Sequence, residues 1–350
     1  MQNITKINID LRAELKNILN KDEQYTIPIF IPHLGCNNEC VFCNQRKISG
    51  NSKIQNLDEI RKDIDEHLEY LKDKKKIQIA FFGGSFTGIP KKHQIKYLEI
   101  ANEYILQGKV DSIRISTRPD YISIPIVKML KTYNVRTIEL GVQSMDNLVL
   151  ESSKRGHTAI DVIRAAIIIN LLNIELGFQI MVGLPNSTLK SEVMSMLKLL
   201  QFKPKQLRIY PVYVLEMSQL YDMYLKKEYI PLTLDDAITR TAEIIKICRS
   251  SNVQIIRIGL QSTKEIAANN SKIVGPVCDN FAEYALSKIV LEKLEKQIIN
   301  KLDVDNVDNI KQKIEICVNN KYISIVIGPK KINKIYLQNK YNIDLSVKGE

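Results

Sequence analysis

A chain of 350 residues, 45% hydrophobic, with 50 Lys and Arg against 39 Asp and Glu, has the size and apolar content of one large globular domain or two smaller ones. Its longest apolar run, Ala165–Ile169, is far too short to span a bilayer, and the opening MQNITKINIDLRAELKN lacks the apolar core of a signal peptide, so neither a membrane span nor secretion is expected. The net charge of +11 favours a polyanionic partner, although a chain rich in Ile, Lys and Asn gathers lysines through composition alone.

Residues 1–26 are expected to form a helical lead-in. Residues Ile27–Gln45, IPIFIPHLGCNNECVFCNQ, read as a strand that empties into a loop with Cys36, Cys40 and Cys43 in C-x3-C-x2-C spacing. Three thiolates on one loop suit three irons of a cubane cluster, and the fourth iron is left open to a substrate or cosubstrate. The same cysteines with His33 would suit a structural zinc ion, and the loop alone leaves that alternative open. Cys248, Cys278 and Cys317 are scattered, a pattern that fits a reducing cytoplasm and not a disulfide framework.

Beyond the loop the pattern alternates. Helices are expected over Leu57–Leu71, Lys91–Leu106, Pro125–Asn134, Thr158–Leu172, Thr188–Phe202 and Asp235–Arg249. Strands are expected over Lys76–Phe82, Asp111–Ser116, Val135–Ser144, Glu175–Leu184, Gln206–Val214 and Val253–Gly259. Six successive strand-helix units predict an α/β fold, a partial (βα)6 barrel of TIM type over residues 27–290. In such a fold the active residues lie where strands end.

The unusual segments fall at those ends. Gly83, Gly84 and Ser85 follow a strand directly, and glycines there let a backbone approach a ligand closely. TRPD follows Ser116. ELGVQS closes the fourth strand, with Gln143 and Ser144 offering short polar groups. KRGHT opens the next helix with Arg155, whose guanidinium matches a carboxylate and whose charge is disfavoured at a helix start. His157 and Thr158 suit a helix cap. Arg208, Tyr210, Tyr213 and Arg257 stand at later strand ends, where core and surface roles are also open to them.

The cysteine spacing, with Phe42 directly before the last cysteine, resembles the radical S-adenosylmethionine (SAM) superfamily. FFGGSFTG, STRPDYI, ELGVQS, KRGHT and QIMVGLP, in that order, look like its Elongator-type branch, which includes the catalytic subunit of Elongator and neighbours the oxygen-independent coproporphyrinogen oxidases. The resemblance covers roughly residues 27–285. It implies a [4Fe–4S] cluster on Cys36, Cys40 and Cys43. It also implies SAM held by Gly83, Gly84 and Ser85 at the amine, Gln143 and Ser144 at the ribose, and Arg155 at the carboxylate. Phe42 and Met181 would border the adenine. Ser116 stands where the branch usually has a carboxylate, and Gln179 near where it has a histidine. No counterpart of the Elongator acetyltransferase domain occurs within the 350 residues, so a stand-alone form without acetyl-CoA chemistry is expected.

From about Asp303 the texture changes. Lys313–Val318 and the apolar run beginning at Tyr322 read as strands, the second meeting Gly328-Pro329-Lys330-Lys331; a helix and the strand Ile343–Val347 follow. Residues 303–350 are similar to the core of a KH RNA-binding module, with Lys331 in place of the second loop glycine. A small α+β module is therefore expected, with Lys330, Lys331 and Lys334 placed to hold phosphates.

The expectation is a cytoplasmic radical SAM enzyme acting on RNA, in particular on tRNA, with an electron donor such as flavodoxin or ferredoxin and no membrane. A small-molecule or tetrapyrrole substrate, or a non-catalytic zinc protein, are the alternatives.

Overall fold

The computed structural model describes residues 4–19, 24–31, 40–43, 56–260, 273–302 and 311–350. Seven strands form one parallel sheet: β2 (Tyr25–Ile31), β3 (Ile77–Gly83), β4 (Ser112–Thr117), β5 (Val135–Gln143), β6 (Glu175–Val182), β7 (Gln206–Pro211) and β9 (Gln254–Ile258). They lie side by side in chain order. Each crossover carries a helix, as parallel pairing requires. The outer faces of these strands, rich in Ile, Val and Phe, pack with the helices into one core. Between β7 and β9, β8 (Val214–Leu215) pairs with β10 (Ile273–Val274) in a small antiparallel ladder.

The sheet curls into a half-barrel. The Arg208 guanidinium on β7 lies 4.6 Å from the centre of the Phe82 ring on β3, across the concave side. Alternation sends Ile27, Ile29 and Ile31 of β2 into the core and leaves Thr26, Pro28 and Phe30 on the concave side. At the end of β3 the chain turns through Gly83, whose φ is +95°. A Cβ there would meet the Ile31 carbonyl oxygen at 2.8 Å, so only glycine allows β3 to end so close to β2.

A second sheet unites the two ends of the chain. β1 (Ile4–Asn8), β11 (Gln312–Val318) and β12 (Ile343–Gly349) are parallel, in the order β1-β11-β12. Among the described residues of the helical lead-in expected over 1–26, Arg12–Leu19 is helix and Ile4–Asn8 is strand. Ile4–Asn8 is a strand because the alternation of ITKIN turns Ile7 inward against its partner Ile316. The run after Tyr322 also differs from expectation. Ile323–Ile327 is a short helix, since β11 and β12 are parallel and the chain between them must cross over. Gly328–Lys331 therefore joins two helices, the second being Ile332–Tyr341. Asn333 fixes this hairpin to the long helix Phe281–Ile299 by donating to the carbonyls of Ser287 (3.0 Å) and Ile325 (3.4 Å). Among the described residues, no helix is long and apolar enough to cross a membrane.

The closure of the second sheet rests on contacts between residues about 300 positions apart. Ile7→Ala is expected to cost about 2–5 kcal/mol in denaturant unfolding, the range for truncating a buried aliphatic. It should also speed hydrogen exchange along β11 more than along β5.

Candidate active site

The rim formed by the C-terminal ends of β2 to β7 holds the candidate residues. The segment Cys40–Cys43 is a pinned turn. Val41 donates its N–H to the Ser153 carbonyl (3.2 Å) and accepts from Leu220 N–H (2.8 Å), and Cys43 N–H donates to the Cys40 carbonyl (2.9 Å). Val41 packs with Val149, Leu184, Val212, Val214 and Leu220, and half-buried Phe42 and Met181 lie against the same cluster. Cys40, Cys43, Cys248, Cys278 and Cys317 form no disulfide among the described residues. Cys36 and His33 lie outside the described residues.

Arg155 is aimed at this turn by its flanking residues. Lys154 and Gly156 have φ of 50° and 69°, so the backbone reverses on either side of it before the helix Ala159–Leu171 begins. Arg155 therefore does not sit in the helix. Its side chain is buried, with Nη1 donating to Cys40 Sγ (3.1 Å) and Nη2 to the Gly141 carbonyl (2.6 Å). Among the described residues its Nε has no hydrogen-bond partner. The guanidinium carbon lies 5.8 Å from the Phe42 ring centre. Arg118 supports the Arg155 turn, donating to the Arg155 carbonyl (2.6 Å) while paired with Asp120 (3.0 Å). Thr158 and Asp161 close the helix start, and His157 is buried beside them. Burial first, then the charges of Arg155 and Arg118, push the His157 imidazole down to about 3, so it is neutral near pH 7.

β5 ends in a bulge, where the register against β6 shifts between Gly141 and Gln143 and Gln143 takes φ of 66°. The shift leaves Gln143 beside Gly141, where a Cβ would meet Gln143 Nε2 at 3.2 Å and Arg155 Nη2 at 3.6 Å. Gln143 Oε1 accepts from Gln179 Nε2 (3.4 Å). The Ser144 hydroxyl faces away from these groups. It accepts from Asp146 N–H (3.1 Å) and meets the Ser195 hydroxyl (3.4 Å). Gly83, Gly84 and Ser85 lie at the end of β3, beside β2, with Gly84 N–H 3.4 Å from the Ile31 carbonyl. Cys40, Phe42, Gly141, Gln143 and Arg155 thus form one contacting group. Lys330, Lys331 and Lys334 sit apart from the rim, at and just after the helix-helix turn of the second sheet.

Below the rim, the concave side carries a charge network that reading by segments did not assign. Glu139 on β5 is 2% exposed and pairs with Arg114 on β4 and with Arg208 on β7, the latter at 3.0 Å. Ser116 donates to the same carboxylate (3.1 Å). Burial alone would raise the Glu139 carboxyl, but Arg114 and Arg208 hold it below its ordinary value and ionised. The available signal was three charged residues at alternate positions of otherwise apolar strands.

The fold and donor set define a class: a curled parallel half-barrel with a cysteine turn, a buried arginine and a glycine turn on one rim. The chain belongs to the radical SAM superfamily. The superfamily model matches residues 30–200, and that of the radical SAM C-terminal domain matches residues 204–291. An uncharacterized protein of Methanocaldococcus jannaschii is 32% identical over 230 residues, covering 62% of this chain and 69% of that protein. The tRNA uridine(34) acetyltransferase of the same organism is 30% identical over 185 residues, covering 52% of this chain but 32% of that protein. The chain thus spans about a third of the acetyltransferases it matches. The solved structure of Methanocaldococcus infernus Elp3 with an N-terminal deletion superposes with a TM-score of 0.62 at 20% identity, covering 78% of this chain and 64% of that one. Radical SAM proteins use a [4Fe–4S] cluster and SAM.

Removing one member of the Glu139 network should be costly because it leaves a buried charge uncompensated. Glu139→Gln is expected to lose about 3–5 kcal/mol of stability in denaturant titration. The double variant Arg114→Met/Glu139→Leu should recover part of that loss.

Proposed function

We propose that this protein is a radical SAM enzyme that modifies a nucleoside of tRNA. The observation that carries the radical half is Arg155, fixed between Cys40 Sγ and the Gly141 carbonyl with Nε left bare. A buried guanidinium with an open donor beside a cysteine turn is suited to a carboxylate.

Cys40 and Cys43, with Cys36 completing the motif, would ligate the cluster through three thiolates. When bound, that cluster supplies one electron for cleavage of SAM to a 5′-deoxyadenosyl radical. Arg155 would hold the SAM carboxylate, and Gly83, Gly84 and Ser85 would accept hydrogen bonds from its amine. Gln143, held at the β5 bulge, would meet the ribose. Ser144, engaged with Asp146 and Ser195, would act in that role by fixing the bulge. Phe42 and Met181 would border the adenine, since both pack on the cluster that seats the cysteine turn. A small reduced protein such as flavodoxin or ferredoxin would be the electron source, in a cytoplasm reducing enough to keep the thiols free.

Two observations support tRNA as substrate. Relatives at 30% and 28% identity are tRNA uridine(34) acetyltransferases. The turn Gly328–Lys331 presents Lys330 and Lys331 with φ of 54° and 62°, ahead of a helix that also carries Lys334. Left-handed lysines are strained, and two in succession at a helix start suit phosphate binding. The basic excess of the chain fits the same partner.

Nucleoside mass spectrometry of tRNA from cells with and without the protein tests this reading. At least one modified nucleoside should disappear in its absence and return with wild type but not with Arg155→Gln. Lys330→Glu/Lys331→Glu should lower the level of that nucleoside and raise the Kd for tRNA about tenfold. Identical tRNA nucleoside profiles would contradict the substrate assignment.

A further inference from the structure

The end of β6 is gripped from two sides by buried side chains that the rim described above leaves without a role. The β6–β7 ladder closes at Val182 and Pro211, after which Val212 N–H donates to the Val182 carbonyl (2.9 Å). Gly183 lies beyond the ladder, so its backbone groups need other partners. Its N–H donates to Glu192 Oε1 on the helix Leu189–Leu200 (2.8 Å), and its carbonyl accepts from the Tyr229 hydroxyl (2.6 Å). Glu192 and Tyr229 are both buried. The same Glu192 oxygen accepts from the Ser187 hydroxyl (2.9 Å) and pairs with Arg240 on the helix Leu234–Cys248 (3.3 Å). Gly183 has φ of +89°, and a Cβ there would meet the Leu232 side chain at 2.8 Å. The chain from Tyr229 to Leu232 is therefore closed around this one glycine.

Tyr229 also belongs to the seat of the cysteine turn. It is part of the apolar cluster of Val41, Leu184 and Leu220, against which Phe42 and Met181 lie half-buried. Earlier in the same segment, Leu220 N–H donates to the Val41 carbonyl (2.8 Å). Between these two attachments the chain is the helix Gln219–Leu225, closed by Lys227 N–H on the Tyr224 carbonyl (3.0 Å) and Glu228 N–H on the Met223 carbonyl (2.8 Å). Leu220–Tyr229 is thus a short hydrogen-bonded strap, tied to the cysteine turn at one end and to the end of β6 at the other. A cluster on the turn and a cosubstrate beside Met181 react only at a fixed spacing, and a rigid segment bonded to both supports sets that spacing.

We propose that Leu220–Tyr229 is a positioning strap that sets the distance between the cysteine turn and the SAM-bordering end of β6. Tyr229 and Glu192 are its positioning residues: they hold Gly183 by its carbonyl and its N–H, and act on SAM through the backbone they fix. The assignment rests on the SAM reading of the rim.

The test joins hydrogen exchange of the full chain, before any cluster or SAM is added, to SAM binding and cleavage by the chain reconstituted with iron and sulfide. Tyr229→Phe keeps the packing and loses the bond to the Gly183 carbonyl; Glu192→Leu keeps the bulk and loses the bond to its N–H. Tyr229→Phe should speed exchange at Val41 and Leu220 about fivefold and leave β4 unchanged. Both variants should bind iron and sulfide as wild type does. Each should raise the KM for SAM about fivefold while kcat for 5′-deoxyadenosine release stays within about twofold, a split that general loss of stability would not give. Tyr104→Phe, which removes a hydroxyl bonded to Asp65 (2.9 Å) on the helix Lys91–Leu106, is the control and should alter neither readout. Unchanged exchange at Val41 and Leu220 in Tyr229→Phe, or SAM bound by both variants as tightly as by wild type, would overturn the strap. Wild type that cleaves no SAM would count against the radical reading, and exchange at the turn would still decide the strap.

Discussion

Glu139 stands on the middle strand of a curled parallel sheet and serves two guanidiniums, Arg114 from the next strand and Arg208 from two strands away. A carboxylate so enclosed is stable only when paired and hydrogen-bonded, and here Ser116 completes the set. The network ties β4, β5 and β7 together through the concave side, while the helices hold them only from outside. It also holds the Arg208 guanidinium 4.6 Å from the Phe82 ring centre on β3.

Above that layer the rim is built from short departures from regular structure. The β5 bulge turns Gln143 beside Gly141. The left-handed Lys154 and Gly156 swing Arg155 back toward Cys40. Gly83 lets β3 end against the Ile31 carbonyl. Each departure costs local stability and brings a polar group to the same small region, the pattern expected of a functional site. The family models match residues 30–200 and 204–291, the stretch that contains the half-barrel and its rim.

The barrel was legible because each of its strands is a short apolar run followed by turn residues and an amphipathic helix, a pattern that depends on neighbours in sequence. Ile4–Asn8 was not legible as a strand, since its partner residues lie at Lys313–Cys317, at the other end of the chain. Ile323–Ile327 misled for another reason. ISIVI has strand-like residues, but parallel β11 and β12 force the segment into the crossover. The candidate site divides in the same way. Arg155, Gln143 and the cysteines sit in contiguous motifs and could be picked out. Glu139 with Arg114 and Arg208 draws on three strands, so only the pairing order and curl of the sheet bring them together. Ser144 was assigned from its hydroxyl alone, and its engagement with Ser195 could be known only once the helix Leu189–Leu200 was placed.

The cysteine turn and Arg155 are proposed to operate SAM chemistry. The most direct measurement is 5′-deoxyadenosine released by the anaerobically reconstituted protein with SAM and dithionite, quantified beside bound iron, sulfide and zinc. Wild type should release it with iron and sulfide bound, and Cys40→Ala should lose that release. Bound zinc without iron, or equal release by Cys40→Ala and wild type, would contradict it.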